Sequence, residues 1–250
     1  MKSRRSETVL FSALIIAGGL LYALRWELFP GSPLRNEMWR FLLGDLGFLF
    51  LQVAIVTLLI DRLLRNRERR SMRRKLNMVI GAFFSELGTR LLGRLAVADM
   101  ALEEVRADLI PAASWTNAHY AAARTTLSAH HPSIDITACD LYELKDMLES
   151  EKPFVLGLLG NQALLEHEEF SELLWAVTHL AEELVVRESL DDIPTPDRIH
   201  ISGDVKRVYT LLVTEWLEYL RHLQTQYPYL FSLAVRTNPL DPHACAEVLQ

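Results

Sequence analysis

The chain has 250 residues, half of them apolar, and a formal net charge of −6; that suffices for one medium domain with accessory segments and argues against a disordered or fibrous chain. The charge is split: 14 basic against 6 acidic side chains over residues 1–75 (+8), and 12 against 26 over residues 76–250 (−14). The larger part therefore repels phosphate backbones and no nucleic-acid partner is expected.

Thr8 to Leu24 reads TVLFSALIIAGGLLYAL, seventeen residues without a charge. As a helix rising about 1.5 Å per residue it reaches ~25 Å, a little under a hydrocarbon core of about 30 Å, and Trp26 and Phe29 lengthen the interfacial contact. The run follows Lys2, Arg4 and Arg5 as the core of a signal peptide would. It lacks a small-x-small cleavage site, however, and a second run begins within about twenty residues, which favours an uncleaved anchor. That second run, Phe41 to Ile60, has twenty residues and one charge, Asp45. Between the two, residues 25–40 hold Pro30, Gly31 and Pro33 for a turn and Trp26 and Trp39 where aromatic belts form.

The stretch that follows, IDRLLRNRERRSMRRK, packs eight cationic side chains into residues 60–75: Arg62, Arg65, Arg67, Arg69, Arg70, Arg73, Arg74 and Lys75. Short basic segments stay on the cytoplasmic side of a membrane. Three positive charges before the first run and eight after the second thus place both ends inside and residues 25–40 outside. The same cluster is suited to anionic headgroups, at roughly 1 kcal/mol per side chain that reaches the surface.

No proline occurs between Leu34 and Ile110, so the second span is expected to continue as one helix through the basic stalk. Leu76, Ile80, Phe84, Leu87, Leu91 and Leu95 form a helical stripe without a strict heptad, which favours packing into a domain over a coiled coil. Gly81, Gly88 and Gly93 interrupt that helix and are read as close-packing positions. Further helices are expected near Thr116 to Ala129, and from Asp140, where Asp140 and Glu143 have capping-box spacing, to a break at Pro153. A strong helix spans Glu168 to Arg187, with Leu173, Val177, Leu180 and Leu184 on one face beside Leu174, Ala181 and Val185. ESLDDIPTPDRIHISGD, residues 188–204, reads as a seventeen-residue loop. The last strong helix is expected from Asp204 to about Gln226, ended by Pro228. No alternation of strand type is sustained.

The fold class is therefore all-α: a two-helix transmembrane hairpin (8–24 and 41–60), a basic stalk (61–75) and an acidic helical domain (76–250). KLNMVIGAFFSELGTRLL, LLEHEEFSELLWAVTHLAEEL and EWLEYLRHLQTQYPYLFSLAVRTNP behind two apolar runs resemble a group of uncharacterised bacterial membrane proteins of similar length. The resemblance covers nearly the full chain. It implies a bacterial inner membrane and a periplasmic loop at 25–40, and carries no activity, cofactor or catalytic residue.

The residues offer little catalytic chemistry. No Walker loop, Rossmann fingerprint, nucleophile elbow, HExxH or CxxC is present. Cys139 and Cys245 lie far apart, so they form no disulfide framework and read as reduced thiols of a cytosolic compartment. Asp45, five positions into its span, is read as structural near the outer interface, and Gln52 as a hydrogen-bonding group toward the other helix or another subunit. Ala13, Ala17, Gly18, Gly19, Gly44 and Gly47 allow close helix packing. Two His/Glu stripes, Glu172, His179 and Glu183 on one helix and Glu215, Glu218 and His222 on the other, are the tempting metal ligands. They lack the inward Glu-x-x-His pairs of di-iron bundles, and a solvated acidic surface is preferred. Neither a metal nor a cofactor is expected. What remains is a membrane-anchored module that binds a protein partner or its own copies, with an accessory subunit of a membrane complex or pore, or a metal-binding bundle enzyme, as alternatives.

Overall fold

In a computed structural model the chain is described over residues 2–28, 35–161, 164 and 167–247. It divides into two units, Met1–Ser71 and Met72–Gln250.

The first unit is built from α1 (Lys2–Leu28) and most of α2 (Arg35–Phe83). Helix α2 runs unbroken through the apolar run and the basic stretch, as the absence of proline allows. The expected turn at Pro30, Gly31 and Pro33 lies outside the described residues. Gly18 is buried, and a Cβ there would stand 3.4 Å from the Gly47 carbonyl oxygen. Gly44, Gly47 and Ala54 are buried as well, so small residues set the approach of α1 to α2.

Two spans were expected, and the structure differs. Among the described residues one helical segment, Leu43–Glu68, is long and apolar enough to cross a bilayer, with a mean hydropathy of 2.2 over its apolar 18-residue window; the apolar part of α1 is the shorter Phe11–Leu21. The side chains of Thr8, Val9 and Leu10, counted in the expected first span, lie outside the described residues.

The second unit is helical throughout its described residues. A π-helical turn, Phe84–Gly88, joins α2 to α3 (Thr89–Ala96). Then come α4 (Arg106–Leu109), α5 (Asn117–Ala129), α6 (Leu141–Leu159), α7 (Glu168–Val185), α8 (Thr195–Gln226) and α9 (Pro228–Arg236), with short 3-10 turns at Leu102–Glu104 and Ile136–Ala138. Among the described residues the one strand-type pairing is an isolated antiparallel bridge, Asp99 to Ile134.

The stripe read from the sequence packs as expected: Leu76, Ile80, Phe84, Leu87, Leu91 and Leu95 are all buried. So are the α7 face and the opposing Val205, Val208, Leu212 and Trp216 of α8. Each fully buried aliphatic or aromatic side chain contributes about 1.5–3 kcal/mol. Val185 is the exception on α7, being exposed in its last turn. Adjacent Phe83 and Phe84 are both buried. Phe83 meets Phe170 edge-on at 5.4 Å, while Phe84 stacks on Tyr219 at 5.0 Å and contacts Trp216 at 5.1 Å.

Caps mark the helix starts. The Asp140 carboxylate accepts from the Glu143 amide at 2.9 Å, as its spacing predicted. Thr116 caps α5 together with His119, its amide donating to His119 Nδ1 at 3.0 Å. Two proline readings are corrected. Helix α6 continues through Pro153 to Leu159, with Pro153 on an exposed position. Helix α8 begins at Thr195, not Asp204, because Pro194 is its N-cap and Pro196 sits in the first turn, where a missing amide hydrogen sacrifices no helical bond. Half of the expected loop is thus three turns of helix.

Gly88 lies beneath two buried rings: a Cβ there would meet Phe83 at 2.6 Å and Phe84 at 2.7 Å. Gly93 has Pro239 at an ordinary 3.5 Å. Gly88→Ala is expected to destabilise the chain by about 1–3 kcal/mol through overpacking. Gly93→Ala is expected to be neutral or stabilising by up to about 1 kcal/mol. Urea-unfolding midpoints of the two variants check the contrast.

Candidate functional site

Helices α7 and α8 pack antiparallel, and the register decides which polar groups meet. On the flank of the apolar seam His179 and Glu183 of α7 come against His200 and Asp204 of α8. Each pair is spaced i, i+4, which places both members on one face of its helix. His179 Nε2 lies 3.8 Å from Glu183 Oε1 and 3.6 Å from Asp204 Oδ2. His200 Nε2 lies 3.5 Å from Glu183 Oε2 and 3.4 Å from Asp204 Oδ2. Donor atoms of His179, Glu183 and His200 all fall within 4.8 Å of one another.

Burial is graded across the group. The two imidazoles are about half exposed, at 45% and 52%, while the Asp204 side chain is 7% exposed. Arg187 holds the far side. Its Nη1 donates to Glu183 Oε2 at 2.8 Å, and its Nε donates to Asp197 Oδ2 at 2.9 Å. This hydrogen bond holds the Glu183 carboxyl below the usual carboxylate range, and the bonds from Arg187 do the same to Asp197. Asp197 and Glu183 in turn raise Arg187 above its ordinary value. Arg207 stands 3.6 Å from Asp204 Oδ1, leaving Oδ2 for the histidines.

The two stripes proposed from the sequence do not face each other as sets. Glu172 is exposed. Glu218 is engaged by Arg124 at 3.1 Å and Arg221 at 2.6 Å. His222 Nδ1 is hydrogen-bonded to the Asn77 amide at 3.1 Å, and burial lowers its pKa. Glu215, read as flanking the core, is instead buried at 3% exposure. Desolvation, reinforced by Glu169 and Glu218 and opposed by Arg124, raises its pKa to about 7.

In the first unit Asp45 and Gln52 are both exposed, so Gln52 is not covered by α1. Arg62, Arg67 and Lys75 are exposed, and Arg65 lies 3.8 Å from Asp61. The side chains of Arg69, Arg70, Arg73 and Arg74 lie outside the described residues. Cys139 and Cys245 are free thiols.

Residues 72–236 match the family described as "Uncharacterized protein MJ1433, C-terminal helical domain", and residues 2–64 match its N-terminal helical domain. The chain is also 39% identical over 241 residues to "Uncharacterized protein MJ1433" of Methanocaldococcus jannaschii, covering 96% of both chains. The chain belongs to the MJ1433 family. The relative is archaeal, so the bacterial origin implied by the sequence resemblance finds no support in it. No solved structure matches. The family's two helical domains agree with the two units of the fold, the boundary falling between residues 64 and 72 in both.

The sequence does not bring His179, Glu183, His200 and Asp204 together, because residues 188–204 read as loop while the structure makes 195–204 the start of α8. The signal was present in Pro194 and Pro196 as helix-starting residues and in the paired spacings HLAEE and HISGD.

Glu215 gives the site region a testable pH dependence. Its folded value of about 7 lies above the ordinary 4.5, so the folded chain holds a proton that the unfolded chain releases. Stability from this group is fully present below 4.5 and is lost as pH rises through about 7. Glu215→Gln is expected to flatten this fall and to stabilise the chain at pH 8 by up to about 3 kcal/mol. Urea midpoints of both proteins at pH 5 and pH 8 measure it.

Proposed function

We propose that the chain is a membrane-anchored helical module: an apolar N-terminal unit held in the cytoplasmic membrane, and an acidic helical unit on its cytoplasmic side that engages a protein partner or further copies of itself. The observation that carries this reading is the uncovered surface of Leu43–Glu68. Only 17% of its apolar window is buried within the chain, whereas the core helices α7 and α8 bury their apolar faces. Exposed Phe48, Leu49, Ile55, Val56 and Leu59 need a cover, and lipid supplies one without any further chain.

The basic residues from Arg62 to Lys75 follow directly. They orient the segment by the preference of short cationic stretches for the cytoplasmic side, and they give anionic headgroups a contact. The α1–α2 pair with Gly18 against Gly47 supports a hairpin in which Phe11–Leu21 accompanies the longer segment. Gln52 favours a second reading, an accessory subunit of a larger membrane complex: it is an exposed amide within an apolar run, and a helix from another chain would satisfy it.

The chain is expected to sediment with membranes and to resist alkaline carbonate extraction. An export-dependent reporter is expected to be active when inserted within residues 31–36 and silent after Arg5 or Gln250. Release of the chain by carbonate, or activity of the C-terminal fusion, overturns the anchor or its orientation respectively.

A further inference from the structure

We infer that His179, Glu183, His200 and Asp204 form a binding site for one divalent transition ion of the zinc type, clamping α7 to the first turns of α8. The inference does not depend on the membrane reading.

The distances distinguish this group from an ordinary ion-pair network. Where the chain pairs a histidine with a carboxylate directly, the atoms touch: His130 Nε2 and Asp99 Oδ2 are 2.7 Å apart and buried together. The four separations at this site are 3.4–3.8 Å, all longer than a close hydrogen bond of about 2.7–3.2 Å. Donor atoms of His179, Glu183 and His200 converge within 4.8 Å of one another, and Asp204 Oδ2 adjoins both imidazoles. Ligands about 2.1 Å from a tetrahedral ion stand about 3.4 Å from each other.

Asp204 supplies the independent sign. Its Oδ2 is buried and has no hydrogen-bond partner among the described residues, yet it points between two imidazole nitrogens. A carboxylate oxygen left so is costly. A cation between Oδ2 and the two Nε2 atoms removes that cost and neutralises the two carboxylates.

The donor set selects the ion. Two imidazoles and two carboxylates, with no thiolate, disfavour copper(I); the imidazoles disfavour calcium and magnesium, which seek all-oxygen shells. Zinc, iron(II) and manganese(II) fit, with zinc best matched to four ligands. Both histidines are half exposed, which gives the ion an entry path. Arg187 hydrogen-bonds Glu183 and is itself clamped by Asp197, and so acts as a positioning residue for that ligand. The ligands come from the ends of two helices joined by residues 186–194, so occupancy would tie down the α7–α8 connection.

The test uses the untagged full-length chain, stripped by a chelator and titrated with cobalt(II) as the spectroscopic probe, then with zinc. The expected result is one cobalt per chain with visible d–d absorption, displaced by one equivalent of zinc, and a rise in melting temperature on loading. Asp204→Asn and the double variant His179→Gln/His200→Gln are each expected to lose at least about tenfold in affinity, whereas His222→Gln binds as the parent does. Circular dichroism of the stripped proteins checks folding; if either variant fails to fold, His200→Ala, at an exposed position, carries the comparison. Absence of saturable binding at one equivalent, or parental affinity in the folded variants, overturns the site.

Discussion

The antiparallel seam between α7 and α8 is the contact on which the second unit depends. Leu173, Val177, Leu180 and Leu184 meet Val205, Val208, Leu212 and Trp216 with almost no exposure, and close packing permits few alternative registers. Because the two helices are locked lengthwise, polar residues beside the seam are brought to particular neighbours. His179 and Glu183 face His200 and Asp204, and Glu169 is brought near Glu215 further along. The end of α2 and the π-helical turn that follows it join the seam through Phe83 and Phe84, which reach Phe170 of α7 and Trp216 of α8. The bare backbone of Gly88, the last residue of that turn, leaves room for both rings.

Buried polar groups fasten the remaining segments. Asp99 takes His130 on one oxygen and the amides of Ala101 and Ser133 on the other, which draws residues 98–102 to 130–135 without a sheet. Asn238 is fully buried; its Oδ1 accepts from Trp216 Nε1 and from the Leu240 amide, each at 3.1 Å. Arg106 donates to the Leu240 carbonyl. These bonds tie the C-terminal segment to the core, while Asn238 Nδ2 and Arg106 Nε are buried with no hydrogen-bond partner among the described residues.

The two units expose opposite kinds of surface. The first shows apolar side chains over more than twenty residues of α2 followed by cations; the second shows carboxylates over a buried core. Apolar surface of this kind is what lipid or another helix covers, and a net negative charge opposes contact with anionic surfaces. The proposed division of labour between anchor and helical module follows from this contrast, and membership of a family with separate N- and C-terminal helical domains is consistent with it.

Much of this architecture was legible in the residues. Helical class, the buried stripe from Leu76 to Leu95, the faces of α7 and α8, the Asp140 cap and the charge division all follow from periodicity and local chemistry, which act within a few residues. Other features required tertiary structure. Pro153 inside a helix is tolerated because its position is exposed, and Pro194 and Pro196 start α8 instead of ending a loop, a choice settled by what Ile201 and Val205 find to pack against. Gly88 is needed only because two rings arrive above it. Glu215 lies on a stripe that the sequence shows as polar, and only the approach of α7 buries it. The His179, Glu183, His200 and Asp204 group is the clearest case: each i, i+4 pair is local and visible in the sequence, but bringing the two pairs together requires the lengthwise register of two helices. That register is set by the shapes of buried side chains more than a dozen residues apart in sequence, and no local pattern records it.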